Sequence, residues 1–226
     1  PFRSRALRPL AWYYTTNSDP EYYEPTRWAA HDHDVGMRHA VQVARYAECM
    51  STGGDEDDCL EDFPTYFGQM DDHLEAKQLA KEVDNCRLGL THTGQSGQPD
   101  NGPLGSEDRE AKCVALADSV AKTRSNDGER EMSPGVIALA TMPEQITLCH
   151  SPVEANDPAI CAPEDERLPA GIKATECAEA YKADNDPELI ATCKAARNVR
   201  RGDLRYHLVN VMGKPQSPSP WGIYTD

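Results

Sequence analysis

Apolar residues recur at helical spacing in separate segments of this chain, with polar, Gly-rich and Pro-rich stretches between them. Asp34 is a suitable N-cap, and the segment 35–50 that follows it has a modest apolar face. The segment 71–87 begins with acidic residues, which the dipole of a helix favours in its first turn. We therefore predict helices over 35–50 and 71–87, separated by a flexible acidic break at 51–58.

The middle of the chain alternates between one helical segment and long stretches without periodicity. Residues 107–124 carry Cys113 and Val120 along one side, which predicts a third helix. Residues 89–105 are rich in Gly, Pro, Gln and Ser, and residues 134–169 hold six prolines. We expect a loop in the first of these stretches, and short turns with room for one short helix in the second.

The last third of the chain has the clearest helical signals. Residues 172–182 form a predicted helix, and Asp186-Pro187 then supplies an N-cap followed by proline at the first helical position. Cys177 and Cys193 lie almost equally far from the turn between these two helices. In an antiparallel pair the two cysteines would face each other, within the distance that a disulfide requires.

Both ends of the chain carry aromatic residues in segments with little periodicity. We predict an extended arm at the N-terminus and a tail at the C-terminus, whose aromatic rings lie on a partner because the segments cannot bury them. The aromatic partner-contact candidates are Trp12, Tyr13, Tyr14, Tyr22, Tyr23, Trp28, Trp221 and Tyr224.

Together these patterns predict a mainly α fold of disulfide-tied helical hairpins, with long irregular loops and extended termini. The predicted regions are the arm 1–30, a helical region 31–125, a Pro-rich connector 126–170, a helical hairpin 171–205 and a tail 206–226.

Composition and charge indicate which kinds of partner are expected and which are not. Apolar residues make up 38% of the 226 positions, which indicates a thin core. The formal net charge is −15, the opposite of what phosphate contacts require, so we predict no nucleic-acid partner. Residues 48–75 contain ten acids and no Lys or Arg. This acidic segment favours a basic protein partner, and its exposed candidates are Asp55, Glu56, Asp57 and Asp58.

Eight cysteines are the strongest chemical signal in the chain. They are Cys49, Cys59, Cys86, Cys113, Cys149, Cys161, Cys177 and Cys193. The spacing lacks the short Cys-x-x-Cys knuckle of zinc modules and of thioredoxin-like redox pairs, so disulfides are the favoured interpretation, ahead of buried thiols. Disulfides indicate an oxidising compartment. Pairing of consecutive cysteines is the simplest arrangement, and Cys177–Cys193 is its best-supported member.

Several short patterns raise the question of a reactive or metal site. His31, Asp32, His33 and Asp34, with His39 nearby, offer ligands for a divalent metal, although an exposed helix-capping segment is the favoured explanation. The acids at 55–58 do not follow the spacing of an EF-hand. Cys149-His150 and the tripeptide 201–203 (Arg-Gly-Asp) have simpler structural explanations. We therefore predict no catalytic residue, cofactor or metal.

The nine residues between Cys49 and Cys59, together with helical segments tied by cysteines at 35–87 and 172–199, resemble the CHCH (coiled-coil–helix–coiled-coil–helix) proteins of the mitochondrial intermembrane space. The resemblance implies a scaffold role, since many members of that family are accessory subunits of respiratory complexes. Gly53-Gly54 and the other cysteine spacings depart from the family pattern.

These observations lead to a functional hypothesis with one alternative. We expect a non-catalytic accessory subunit that braces a large membrane-bound bioenergetic complex on its oxidising side, with other subunits as partners and no transmembrane segment of its own. The expected location is the intermembrane-space side of the mitochondrial inner membrane, or else the thylakoid lumen. The alternative is a secreted, acidic, disulfide-rich binding protein, for which a cation is one candidate ligand.

Overall fold

The chain folds mainly into α-helices, as predicted. The computed structural model describes residues 1–16, 18–67, 70–90, 106–126, 131–154, 157–162, 167–196, 198 and 205–211. In those residues the helices are α1 (Tyr23–Ser51), α2 (Glu56–Asp62), α3 (Met70–Arg87), α4 (Glu107–Asn126), α5 (Pro134–Thr141), α6 (Ala174–Ala183) and α7 (Pro187–Ala196). The strands are β1 (Leu10–Tyr14), β2 (Ile146–Cys149) and β3 (His207–Val209).

Four helices begin and end close to their predicted positions. The boundaries of α3, α4, α6 and α7 differ from the expected ones by about two residues or less, the uncertainty usual for helix ends. At the start of α7 the carboxylate of Asp186 accepts a hydrogen bond from the backbone N–H of Leu189 at 2.9 Å. This contact confirms Asp186 as the N-cap that the sequence predicts.

Helix α1 is much longer than predicted, beginning at Tyr23 rather than at residue 35. A short 3₁₀ turn over Pro20–Tyr22 leads into it, and the carboxylate of Asp19 accepts a hydrogen bond from the N–H of Glu21 at 3.1 Å. Asp34 is therefore an interior helical residue, and its expected capping role is wrong. Its side chain is almost fully buried, for a reason given below.

The N-terminal residues do not form an extended arm. Strand β1 lies at the centre of a three-stranded sheet of order β2–β1–β3, and its pairing with β3 is parallel, with Tyr13 opposite Leu208. Tyr13, Tyr14 and Tyr23 are 2%, 5% and 7% exposed. The expectation that the rings of these three tyrosines lack a core of their own is therefore wrong. Local periodicity missed the strand because the residues that pair with β1 lie far away in the sequence.

The chain divides into two compact units, each with its own core. The first unit comprises residues 1–10 and 29–146, and the second comprises residues 11–28 and 147–226. In the first unit α3 packs against α4 and α5 around a buried apolar cluster that includes Leu79, Val83, Val136 and Leu139. The core of the second unit includes Tyr13, Leu168, Tyr181 and Ile190.

All eight cysteines form disulfides between consecutive partners. The bonds are Cys49–Cys59, Cys86–Cys113, Cys149–Cys161 and Cys177–Cys193. Gly54 permits the first of them, because a Cβ at that position would lie 2.5 Å from the Sγ of Cys59 and 2.7 Å from the Sγ of Cys49. The Gly53-Gly54 pair thus ends α1 and leaves room for the disulfide. Among the described residues, none of the helices combines the length and the apolar character needed to cross a membrane.

Candidate functional site

A fully buried arginine lies at the centre of the first unit. Arg38 projects from α1 with 0% of its side chain exposed, and its Nη2 lies 2.6 Å from Asp34 Oδ2 and 2.5 Å from Asp84 Oδ2. Burial alone would lower the pKa of Arg38, but the charges of Asp84 and Asp34 outweigh that effect and raise the pKa. Arg38 is therefore held as a cation between two carboxylates.

The other terminal nitrogen of Arg38 faces the end of α5. Nη1 donates to the carbonyl of Met142 at 2.8 Å and lies 3.3 Å and 3.4 Å from those of Ala140 and Leu139. The last carbonyls of a helix have no partners within the helix, and they carry the negative end of its dipole. Arg38 therefore caps α5 while it pairs with α1 and α3.

Arg87 provides a second cap at the same helix end. It donates to the carbonyls of Thr141 at 2.7 Å and Met142 at 3.0 Å, and it pairs with Asp84 Oδ1 at 2.8 Å. On its outer side it forms a forked pair with Glu110 on α4, the shortest contact being 2.5 Å. Asp84 thus pairs with both Arg38 and Arg87. Through these two arginines, the contacts described above connect α1, α3, α4 and the end of α5.

Asp34 extends the network to the residues after α5. Its Oδ1 accepts hydrogen bonds from the backbone N–H groups of Gln145 and Ile146, the second at 2.8 Å. An aspartate that accepts backbone hydrogen bonds and pairs with a buried arginine is well compensated for the loss of water. Asp34 therefore fixes the path of the chain as it leaves α5. We call Asp34, Arg38, Asp84 and Arg87 the ionic network.

Glu144 lies beside the ionic network and is partly buried. Burial, with the neighbouring charges of Asp84 and Asp34, raises the pKa of Glu144 to about 8, although Arg38 and Arg87 oppose this shift. Glu144 is then mostly protonated near neutral pH. The two arginines are consequently matched by the two ionised aspartates, without a third full negative charge in the interior.

The predicted metal ligands are only partly brought together. His31 and Asp34 converge with Asp84, each offering a ligand atom within 4.8 Å of the others. The guanidinium of Arg38 already lies against both carboxylates, however, and a metal cation there would be repelled by it and would compete for the same oxygens. The residues therefore suit a guanidinium better than a metal ion.

The remaining predicted metal ligands point elsewhere. Asp32 pairs with Lys77 at 2.7 Å, and the Nε2 of His39 lies 2.9 Å from the carbonyl of Tyr66. His31 and His33 are two residues apart on a helix, where side chains project in different directions. The helix over these residues therefore keeps His31 and His33 from converging on one ion.

A second polar cluster lies in the second unit around His150. Its Nδ1 lies 2.8 Å from Asp157 Oδ1, and its ring stacks on Tyr23 with centroids 3.5 Å apart. This orients the imidazole much as an acid–base histidine is oriented. The adjacent Cys149 is bonded to Cys161 and has no thiol to offer as a nucleophile. We therefore assign the cluster a structural role in holding the residues after β2.

Apart from the buried Tyr13, Tyr14 and Tyr23, the predicted partner-contact residues fall into three groups. Asp55, Glu56, Asp57 and Asp58 are exposed at the start of α2, where Asp55 is the N-cap. Tyr22 is 37% exposed, and Trp12 and Trp28 are half-buried. Trp221 and Tyr224 lie outside the described residues, as does the tripeptide at 201–203.

The ionic network was missed from the sequence apart from Asp34. Arginine and aspartate are ordinarily surface residues, and nothing in the local pattern marks Arg38, Asp84 or Arg87 as buried. The i,i+4 spacing of Asp34 and Arg38 and the i,i+3 spacing of Asp84 and Arg87 are the available signals. Both spacings are common on exposed helices, so they do not indicate burial.

Comparisons with models of protein families, with curated protein sequences and with solved structures find no match to this chain. The function must therefore be inferred from the geometry of the two units and from the surface that they expose.

Proposed function

We propose that this chain is a non-catalytic structural subunit of a large, membrane-bound bioenergetic complex, which it braces on the oxidising side of the membrane. The observation that carries the proposal is the use that the fold makes of the two terminal nitrogens of Arg38. Its two terminal nitrogens are used by two carboxylates and by the end of α5, so the most deeply buried polar groups of the first unit hold helices together. Such an arrangement supports rigidity rather than turnover.

The disulfides support the same role. Cys49–Cys59 and Cys86–Cys113 tie helices within the first unit, and Cys149–Cys161 and Cys177–Cys193 tie segments of the second. Each such bond stabilises a fold by about 2–4 kcal/mol, which is a large contribution for a chain with few large apolar side chains. In our proposal the two units are spacers between neighbouring subunits, and α6 and α7 form a disulfide-tied helical hairpin.

The proposed compartment follows from the oxidised cysteines. Disulfides persist where thiols are not kept reduced, and the resemblance to CHCH proteins favours the mitochondrial intermembrane space among such compartments. The thylakoid lumen is the second choice. The exposed acids at the start of α2 provide a surface for a basic neighbouring subunit.

Native electrophoresis of source membranes, solubilised in mild detergent, tests the proposal. Mass spectrometry of the gel should find the chain at the size of a complex of several hundred kilodaltons, and a salt wash should not release it. Migration near its own 25.0 kDa would contradict the proposed role and favour a free binding protein.

A further inference from the structure

Three exposed apolar side chains lie close together in sequence in the first unit. Phe67 is 58% exposed, Met70 is 72% exposed and Leu74 is 46% exposed. We call these three residues the apolar patch. Met70 and Leu74 are four residues apart on α3, which places them on one face of the helix. The ring of Phe67 packs against that of Tyr46 on α1, with centroids 5.5 Å apart.

The residue before Phe67 anchors the patch. Tyr66 is 5% exposed and its ring stacks on His39, with centroids 4.3 Å apart. Its carbonyl lies 2.9 Å from His39 Nε2, and its hydroxyl lies 2.9 Å from His73 Nδ1. Tyr66 is therefore held by its carbonyl and ring from α1 and by its hydroxyl from α3, and Phe67 follows directly from this anchored residue. A side chain fixed in advance loses less conformational entropy when a partner binds.

Exposed acidic residues lie close to the apolar patch in the sequence. Asp71 follows Met70 directly and is exposed, and Glu61 and Asp62 are exposed at the end of α2. Over residues 48–75 the sequence has ten acids and no Lys or Arg. Apolar side chains with negative charges around them are complementary to a segment that carries an apolar face and positive charges.

We propose that the apolar patch is the docking site for a cationic amphipathic segment of a partner protein. The partner's apolar side chains would cover Phe67, Met70 and Leu74, and its Lys or Arg residues would meet Asp71, Glu61 and Asp62. The flexible side chain of Met70 suits an irregular apolar surface. This inference rests on the proposed function, since it names the chemistry of one neighbouring subunit.

A second copy of this chain is a poorer occupant. It carries the same net charge of −15, so two copies repel each other at low salt. Charge complementarity therefore favours a basic protein partner over self-association.

A synthetic peptide provides the direct test with the purified, oxidised full chain. The probe is a fluorescent peptide of about 18 residues with Leu at helical spacing on one face and Lys on the other, the pattern of helices that bind in grooves. One control peptide replaces Leu by Ser at the same charge, and a second replaces Lys by Glu. We expect fluorescence anisotropy to show saturable binding of the probe at least about ten-fold tighter than that of either control, and weaker binding as salt is raised.

Variants of the chain locate the binding site. Phe67→Ser with Met70→Ser should weaken binding by about ten-fold or more, because both anchors are lost. Met37→Ser is the matched control, since Met37 is 42% exposed on α1 but lies nine residues from Tyr46, roughly on the opposite side of that helix. Circular dichroism should show both variants folded, because the replaced side chains are exposed.

The results of these binding experiments test the docking site independently of the proposed function. Equal binding of the probe and the Ser control, or binding that Phe67→Ser with Met70→Ser leaves unchanged, would overturn the docking site. A dimeric mass of the free chain that the same substitutions convert to a monomer would also overturn it, in favour of a second copy. Either result leaves co-migration with a large complex to be decided separately by native electrophoresis.

Discussion

Arg38 Nη2 lies 2.5 Å from Asp84 Oδ2 in the interior of the first unit, and the two side chains are 0% and 7% exposed. The contact joins α1 to α3, residues 46 positions apart in the chain. A buried charge that loses its partner is costly, whereas an exposed pair contributes little. The stability of the first unit should therefore depend strongly on this pair.

Replacement of Arg38 by Met tests that dependence. The variant leaves Asp34 buried without its cation, leaves Asp84 with Arg87 alone and removes a cap from α5, so we expect a loss of about 3–5 kcal/mol in the free energy of unfolding. Urea denaturation with the disulfides intact provides the measurement. Lys77→Met, which breaks the more exposed pair with Asp32, is the matched control and should cost about 0–1 kcal/mol. Similar losses in the two variants would show that the ionic network is not a principal source of stability.

Glu144 predicts a particular dependence of stability on pH. Its pKa is raised from 4.5 to about 8 in the folded chain, so the folded state binds the proton more tightly than the unfolded state does. The free energy of unfolding should therefore fall as pH rises through that interval, by about 1.4 kcal/mol for each unit of pKa difference.

When the pH rises from about 5 to about 8, the free energy of unfolding should fall less in the Glu144→Gln variant than in the parent chain, because the neutral amide cannot ionise. Urea midpoints at both pH values provide the comparison. Glu56→Gln, an exposed position on α2, serves as the control for the change in formal charge. A Glu144→Gln variant whose stability follows pH as the parent's does would contradict the raised pKa.

Two helical glycines should respond in opposite directions to the same substitution. A Cβ on Gly135 would lie 2.5 Å from the carbonyl carbon of Thr65, so Gly135→Ala should destabilise the chain by about 1–3 kcal/mol or more. A Cβ on Gly36 meets nothing within 4 Å, so Gly36→Ala should stabilise α1 by about 0.5–1 kcal/mol. Thermal unfolding tests both predictions, since the unfolding temperature should fall in Gly135→Ala and rise in Gly36→Ala. Stabilisation by Gly135→Ala would contradict the close approach of α5 to residue 65.

The disulfide pattern predicts a simple peptide map. Proteolysis without reduction should release four linked pairs, each joining consecutive cysteines. Replacement of both Cys86 and Cys113 by Ala removes the widest of the four crosslinks, with a sequence separation of 27, and should cost about 2–4 kcal/mol. Recovery of any crosswise pair from the native chain would contradict the assigned connectivity.

Divalent cations should not stabilise the first unit, because Arg38 lies against the carboxylates that would bind them. Thermal midpoints measured with Zn²⁺ or Ca²⁺ and with a chelator should agree. A clear rise with either ion that Asp34→Asn abolishes would show that a metal displaces the guanidinium, and would revive the cation-binding alternative.

The parts of the fold that could be predicted are those set by local sequence. Acids in the first turn of α3, the proline at the start of α7 and the even spacing of Cys177 and Cys193 about a turn are local signals, and each matches the structure. The burial of Arg38 could not be predicted, because it depends on Asp84 and on the end of α5, which are distant in sequence.

The structure of the N-terminal residues could not be predicted from local sequence either. Tyr13 and Tyr14 form a strand because β3 supplies its backbone partners nearly two hundred residues later. Without that pairing, an aromatic segment with little periodicity resembles an exposed arm. Only the charge of the candidate docking site could be anticipated, because the acids close to it in the chain are visible in the sequence. The exposure of Phe67 depends on how Tyr66 packs between His39 and His73.

Removal of the chain from its source cells tests the central claim most directly. After deletion, native electrophoresis measures how much of the co-migrating complex remains, and an activity assay on the isolated complex measures turnover per assembled particle. A structural subunit predicts fewer assembled particles, each with turnover like that of the parent complex. An unchanged number of particles with a lower turnover in each would contradict a non-catalytic bracing role.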